Sequence, residues 1–125
     1  MNQVQSFILI LLHSVTNAHI LHLQSKSYSE HKALEAYYTS IGDLVDDFTE
    51  AYQGKYGLVT GYKNVDGLFI TENALTTSSL DYMAYLMQFV LSTRKELKQD
   101  SELQNIIDEI AQLIDSTTYK LKYLK

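Results

Sequence analysis

The chain contains 125 residues, with no proline, no cysteine and no tryptophan, and its formal net charge is −5 at pH 7. This length predicts a single domain over residues 1–125 with a core of its own. The lack of cysteine excludes disulfides, thiolate zinc sites, iron–sulfur clusters and a cysteine nucleophile. The 15 acidic side chains against 10 basic ones disfavour broad binding to a nucleic-acid backbone.

The first predicted helix covers residues 3–24, and residues 7–12 make it apolar on nearly all sides. A helix of this kind is buried inside a protein or between subunits. The apolar run is far shorter than the ~20 residues that span a bilayer. It also lacks the basic start and the small-residue cleavage site of a signal peptide. We therefore expect a cytoplasmic protein that is not embedded in a membrane.

The second predicted helix begins at a capping box, Ser27-x-x-Glu30. An apolar stripe at spacings of three and four then predicts a helix to about Tyr52, ended by Gly54 and Gly57. Its members are Leu34, Tyr38, Ile41, Val45, Phe48 and Tyr52.

The second half of the chain predicts two further helices. One begins at Ser78 or Ser79, and the other follows a second box, Ser101-x-x-Gln104. A short helix is also predicted over 71–75. Two short connections, about 25–27 and 98–100, and a long one, about 54–78, describe two antiparallel hairpins joined by a crossover. The predicted fold is all-α, a ferritin-like four-helix bundle.

The second helix also carries four side chains of metal-binding types on one flank: His31, Glu35, Asp46 and Glu50. At 100° per residue they fall within an arc of about 100°. His31 and Asp46 are nevertheless roughly 22 Å apart along the axis, so one helix cannot bring both to one ion.

A two-fold axis near residues 40–41 resolves this separation, because the four residues are placed symmetrically about it. Two antiparallel copies then bring His31 and Glu35 of one chain to Asp46 and Glu50 of the other, twice. Gly42 would allow close backbone approach at the crossing.

The preceding helix runs back alongside, so His19 can reach the level of His31. The resulting nitrogen and oxygen donors suit iron or manganese. The alternative is a solvated acidic face, with His19 and His22 as a partly buried polar pair. If the helix is rotated, Asp47 replaces Asp46 as the candidate ligand.

These residues resemble the iron-oxidising centre of the Dps-type mini-ferritins, the DNA-binding proteins from starved cells. In that family two histidines twelve residues apart are followed by acids four, eleven and four residues further on. Here the matching positions are His19, His31, Glu35, Asp46 and Glu50. The match covers about a quarter of the chain, and the family's centre lies between two-fold-related subunits.

The resemblance implies that these five residues are the metal ligands and the catalytic residues of a ferroxidase. It implies oxidation of Fe(II) and iron storage or detoxification, with manganese or zinc as alternative metals. It also implies a homo-oligomer, from a two-fold dimer up to a dodecameric cage. DNA binding is not expected, because the chain lacks the basic tail that is frequent in the family. Small phage-encoded relatives also lack this tail.

Two positions depart from the family pattern. Glu35 stands where an aspartate is usual, and Ile20 stands where many members have a tryptophan. Tyr28, Tyr37 and Tyr38 are candidates to replace that tryptophan. Both departures favour the alternative of a catalytically silent ferritin-like structural or interaction protein, for example a phage accessory protein.

Overall fold

A computed structural model describes residues 2–63 and 77–125 of the chain. Within these residues the protein is all-helical and has no strand, which confirms the predicted all-α class. The predicted short helix over 71–75 lies outside the described residues. The four helices are α1 (Gln3–Gln24), α2 (Tyr28–Tyr56), α3 (Ser79–Arg94) and α4 (Ser101–Tyr123).

Helix α1 has the bounds that the sequence predicts, and none of its residues is charged. Asn2 and Gln5 close a capping box at its start, with Gln5 N donating to Asn2 Oδ1 at 3.0 Å. By length and apolar composition α1 alone among the described helices could cross a membrane. Core helices meet the same test, and the face of α1 that carries Phe7, Leu11 and Ala18 is fully buried against other helices.

Helix α2 extends to Tyr56, four residues beyond the predicted end near Tyr52, and of the two glycines predicted to end it only Gly57 does so. Gly54 lies within the helix, because a glycine there costs only about 1 kcal/mol relative to alanine. The helix ends at Gly57, whose φ of 95° is favourable for glycine but strained for other residues. At the start of α2, Glu30 N donates to Ser27 Oγ. This is the first of the two hydrogen bonds that the predicted capping box contains.

The predicted box at Ser101 is wrong, although α4 does begin there. Asp100 is the N-cap, and its backbone carbonyl accepts from Leu103 N and Gln104 N. The Gln104 amide instead donates to the carbonyl oxygens of Arg94 and Lys98, at 3.2 and 3.0 Å. It thereby ties the start of α4 to the last residue of α3 and to the loop that follows it.

The helices pack as a ring in which α1 contacts α2 and α3, and α4 contacts the same two helices. The Tyr56 hydroxyl at the end of α2 donates to Asp100 at the start of α4. Ser25, after α1, lines a groove with Ser78 and Ser79 at the start of α3. Because α2 ends at one end of the molecule and α3 begins at the other, residues 57–78 connect opposite ends.

The core lies between all four helices and is predominantly aliphatic. Phe7 of α1 packs edge-on against Phe48 of α2, with ring centroids 5.0 Å apart. The predicted stripe places Tyr38 in this core, but the residue buried there is Tyr37, and Tyr38 is half-buried. The Tyr37 hydroxyl lies 2.7 Å from Ser14 Oγ, whose own proton goes to the Leu11 carbonyl at 2.6 Å. Tyr37 is therefore the donor.

The Ser14–Tyr37 hydrogen bond predicts an unequal pair of variants. Ser14→Ala leaves the buried phenol of Tyr37 without its partner and should lower the free energy of unfolding by about 2–3 kcal/mol. Tyr37→Phe should cost about 1 kcal/mol, because Ser14 keeps its bond to Leu11. Urea denaturation of both variants checks the order, and a larger loss for Tyr37→Phe would contradict it.

The start of α4 predicts a loss of stability in acid. Lys55 Nζ lies 2.5 Å from Asp100 Oδ2 and, with the Tyr56 hydroxyl, lowers the pKa of Asp100. An aspartate whose pKa is lowered by folding stabilises the protein above its unfolded pKa of about 3.9, and this contribution disappears as the pH falls through the folded pKa. We expect Asp100→Asn to unfold at lower urea concentration than the wild type at neutral pH, with the difference shrinking as the pH falls below about 4 and vanishing once the carboxyl is protonated in the folded protein. A difference that does not change with pH would contradict the prediction.

Candidate metal site

The turn between α1 and α2 brings two histidines into direct contact, His22 from the last turn of α1 and His31 from the first turns of α2. Their rings stack with centroids 3.5 Å apart and planes 19° apart. His22 Nδ1 donates to the backbone carbonyl of His31 at 2.6 Å, and His31 Nδ1 donates to the carbonyl of His22 at 2.9 Å. We call this arrangement the histidine clasp.

His19 lies beside the clasp but belongs to a different contact. Its exposed ring stacks on Tyr38, with centroids 4.3 Å apart and planes 12° apart, and lies 5.7 Å from the ring of His22. His19 and His31 thus reach the same level of the hairpin, because both contact His22. The residue that touches His31 is His22, for which the spacing to His19 predicts only a partly buried polar pair.

Glu35 is one turn along α2 from His31 and already has a cationic neighbour. Lys32 Nζ lies 3.1 Å from Glu35 Oε2 on the surface. The hydrogen bond from Lys32 lowers the pKa of the Glu35 carboxyl, and His22 and His31 act weakly in the same direction. The carboxylate is therefore ionised, as a metal ligand must be, but a metal would compete with Lys32 for it.

Asp46 and Glu50 lie further along α2, with exposed side chains. Gly42 lies between them and Glu35, and a Cβ built on it would meet no atom within 4 Å. The flank of α2 that carries the candidate ligands is thus left uncovered by the other helices.

Within one chain these residues do not form a metal site. Among residues 2–63 and 77–125, no group of three or more histidine, aspartate or glutamate side chains lies close enough together to hold an ion. Helix geometry alone predicts this separation, because it places His31 and Asp46 roughly 22 Å apart along α2. The five predicted residues therefore fall into a cluster at the turn, which includes His31, and an exposed acidic pair, Asp46 and Glu50.

The chain belongs to a family of unknown function (DUF5856), whose sequence profile matches residues 22–121. These residues include α2, α3 and most of α4. They also include both histidines of the clasp, but they exclude His19.

The chain is also similar to a protein of Enterobacteria phage T4, described as an uncharacterized 14.6 kDa protein in the mobD–ri intergenic region. The two are 24% identical over 123 residues, which cover 98% of this chain and 88% of the phage protein. No solved structure matches this chain.

The Lys32–Glu35 pair predicts a change in titration. In Lys32→Gln the hydrogen-bonded cation is lost, so the pKa of Glu35 should rise towards the ordinary value of about 4.3. NMR titration of the Glu35 carboxyl carbon measures this shift. Lys26→Gln, which removes an exposed lysine of the preceding turn, serves as the control and should leave the Glu35 titration unchanged. Equal titration curves in the wild type and Lys32→Gln would contradict the prediction.

Proposed function

We propose that this protein is a ferritin-like mini-ferritin that binds Fe(II) between two chains and oxidises it. The proposed ligands are His19, His31 and Glu35 of one chain with Asp46 and Glu50 of a second copy. The order of the helices supports the ferritin-like part of the proposal. One long crossover between opposite ends, with two antiparallel hairpins, is the connectivity of ferritin-like bundles.

The observation that carries the proposal is the uncovered flank of α2. The flank is about 100° wide and runs from His31 to Glu50. Helices α1 and α4 pack on the opposite side of α2, where Leu34, Ile41 and Val45 are buried. A site completed by a second copy requires such an open flank.

The residues on this flank also suit a close two-fold crossing. Near the level of residues 40–41, the residues on this flank are Thr39 and Gly42, which are placed symmetrically about that level. The Thr39 hydroxyl donates to the Glu35 carbonyl at 2.8 Å, so its polar group already has a partner. Gly42 offers open space for an approaching helix.

The negative charge on this flank favours a cation that binds between the two chains. Glu35, Asp46 and Glu50, with Asp43 and Asp47 beside them, give α2 five acidic side chains on or next to the flank. Lys32 offsets the charge of Glu35, but the remaining acids make two such flanks repel each other when they are brought together without a further counter-charge. A divalent ion at each end of the crossing would offset this repulsion, and the mixed oxygen and nitrogen donors suit Fe(II) or Mn(II), with Zn(II) as an alternative.

In the proposed reaction, Fe(II) is the substrate, and each ion loses one electron to peroxide or dioxygen. The protein holds the ion with imidazole nitrogens from one chain and carboxylates from both. Anionic oxygens stabilise Fe(III) more strongly than Fe(II), because their interaction with the ion grows with its charge. The ferric product would be stored if the dimers assemble further into a cage.

Two inactive variants should restore one another if the site is shared. His31→Ala and Asp46→Ala should each lose Fe(II) oxidation, measured by the absorbance of the ferric product. Mixing the two after partial unfolding and refolding should recover activity, because one of the two sites in a heterodimer keeps all its ligands. Asp115→Ala, which removes an exposed acid on α4, is the control and should oxidise iron like the wild type. Unchanged oxidation in both single variants, or failure of the mixture to recover, would refute the shared site.

A catalytically silent structural or interaction protein is the second candidate, and the Lys32–Glu35 ion pair favours it. That pair gives Glu35 a structural partner in the absence of any metal. Anaerobic calorimetry with Fe(II) separates the two candidates, since the ferroxidase needs about one tight site per chain and the silent protein has none. The native mass decides whether a dimer or a cage forms.

A further inference from the structure

The histidine clasp fixes which nitrogen of each ring carries the proton. A backbone carbonyl only accepts hydrogen bonds, so Nδ1 must be protonated in both His22 and His31. In a neutral imidazole this leaves Nε2 as the nitrogen with a free lone pair. Histidine ligands of metals commonly have this arrangement, with the second ring nitrogen bound to a carbonyl or a carboxylate.

The stack also separates the roles of the two rings. Both lone pairs lie in the planes of their rings, and these planes are nearly parallel and about one ring thickness apart. Two such lone pairs cannot converge on one ion at an ordinary metal–nitrogen distance of about 2.1 Å. Only one ring of the clasp can therefore serve a given ion without a rearrangement.

Burial indicates which of the two rings that is. His22 is 5% exposed, stacks on His31 and makes a T-shaped contact with Tyr38, with ring centroids 5.3 Å apart. His31 is half-buried and lies on the flank of α2 that stays uncovered.

We propose that His22 is a positioning residue for His31. Its ring supports one face of the His31 imidazole, and its Nδ1 hydrogen bond ties it to the backbone of α2. His31 is thereby held with Nδ1 on the α1 carbonyl and Nε2 available to an ion. The assignment of an ion to Nε2 rests on the proposed function, whereas the tautomer and the orientation of the ring do not.

The test compares two variants of His22 in the full chain. His22→Ala removes the supporting ring, whereas His22→Phe keeps a flat ring but loses the nitrogen donor. Long-range ¹H–¹⁵N NMR spectra of the metal-free protein report the tautomer of His31. We expect the Nδ1-protonated form in the wild type, a mixture of both tautomers in His22→Ala, and recovery of most of the Nδ1-protonated form in His22→Phe.

A second measurement connects this orientation to metal binding. Anaerobic Fe(II) titration should show affinity reduced about tenfold or more in His22→Ala, the usual effect of losing a residue that orients a ligand, and partial recovery in His22→Phe. His13→Ala removes an imidazole of the same helix about 13 Å away and should leave both measurements unchanged. Circular dichroism verifies that each variant is folded.

The outcomes distinguish this proposal from the proposed function. If the wild type binds no Fe(II), the ferroxidase proposal fails, and the NMR comparison still decides whether His22 orients His31. An Nε2-protonated His31 in the wild type would overturn the inference. So would a His22→Ala variant with the tautomer of the wild type, or one with altered tautomers and undiminished Fe(II) affinity.

Discussion

The register of α1 against α2 is the constraint on which the rest of the structure depends. Three contacts at successive levels set it: the histidine clasp at the turn, the Ser14–Tyr37 hydrogen bond in the middle and the Phe7–Phe48 packing near the far end. The first two are directional, so a slide of one helix along the other would leave buried polar groups unpaired. The same register places His19 beside Tyr38 and turns the uncovered flank of α2 away from the core.

The sequence predicts the helices well where only neighbouring residues determine the structure. It fails where a side chain binds residues that are distant in the sequence. The bounds of α1 and the start of α3 follow from apolar periodicity and serine capping. Gln104 has the spacing of a capping box, but its amide binds carbonyls at the end of α3. No property of residues 101–104 shows that these acceptors come near in the folded chain.

The choice between Tyr37 and Tyr38 has a similar cause. Neighbouring residues on a helix point about 100° apart, so the apolar stripe allows either to face the core. The partner in α1 decides, because Ser14 provides the hydrogen bond that a buried phenol needs. Burial also raises the pKa of Tyr37, which keeps the hydroxyl protonated as a donor.

The candidate site is likewise predictable from the sequence only in part. The spacing from His31 to Glu50 places the ligands on one flank, since that follows from helix geometry. The clasp could not be predicted this way, because it depends on how tightly the 25–27 turn folds the two helix ends together. A signal for it is present in the sequence: a histidine stands in the last turn of one helix and another in the first turns of the next. The competition between Lys32 and a metal for Glu35 likewise emerges only from side-chain positions.

The number of residues that connect α2 to α3 can be compared with the distance that they must cover. Helix α3 has 16 residues and is about 24 Å long, a distance that fewer than ten extended residues can cover. Residues 57–78 provide about twice that number. The length of this connection therefore does not limit where α2 and α3 lie in the bundle, and the packing of both helices against α1 and α4 sets their positions.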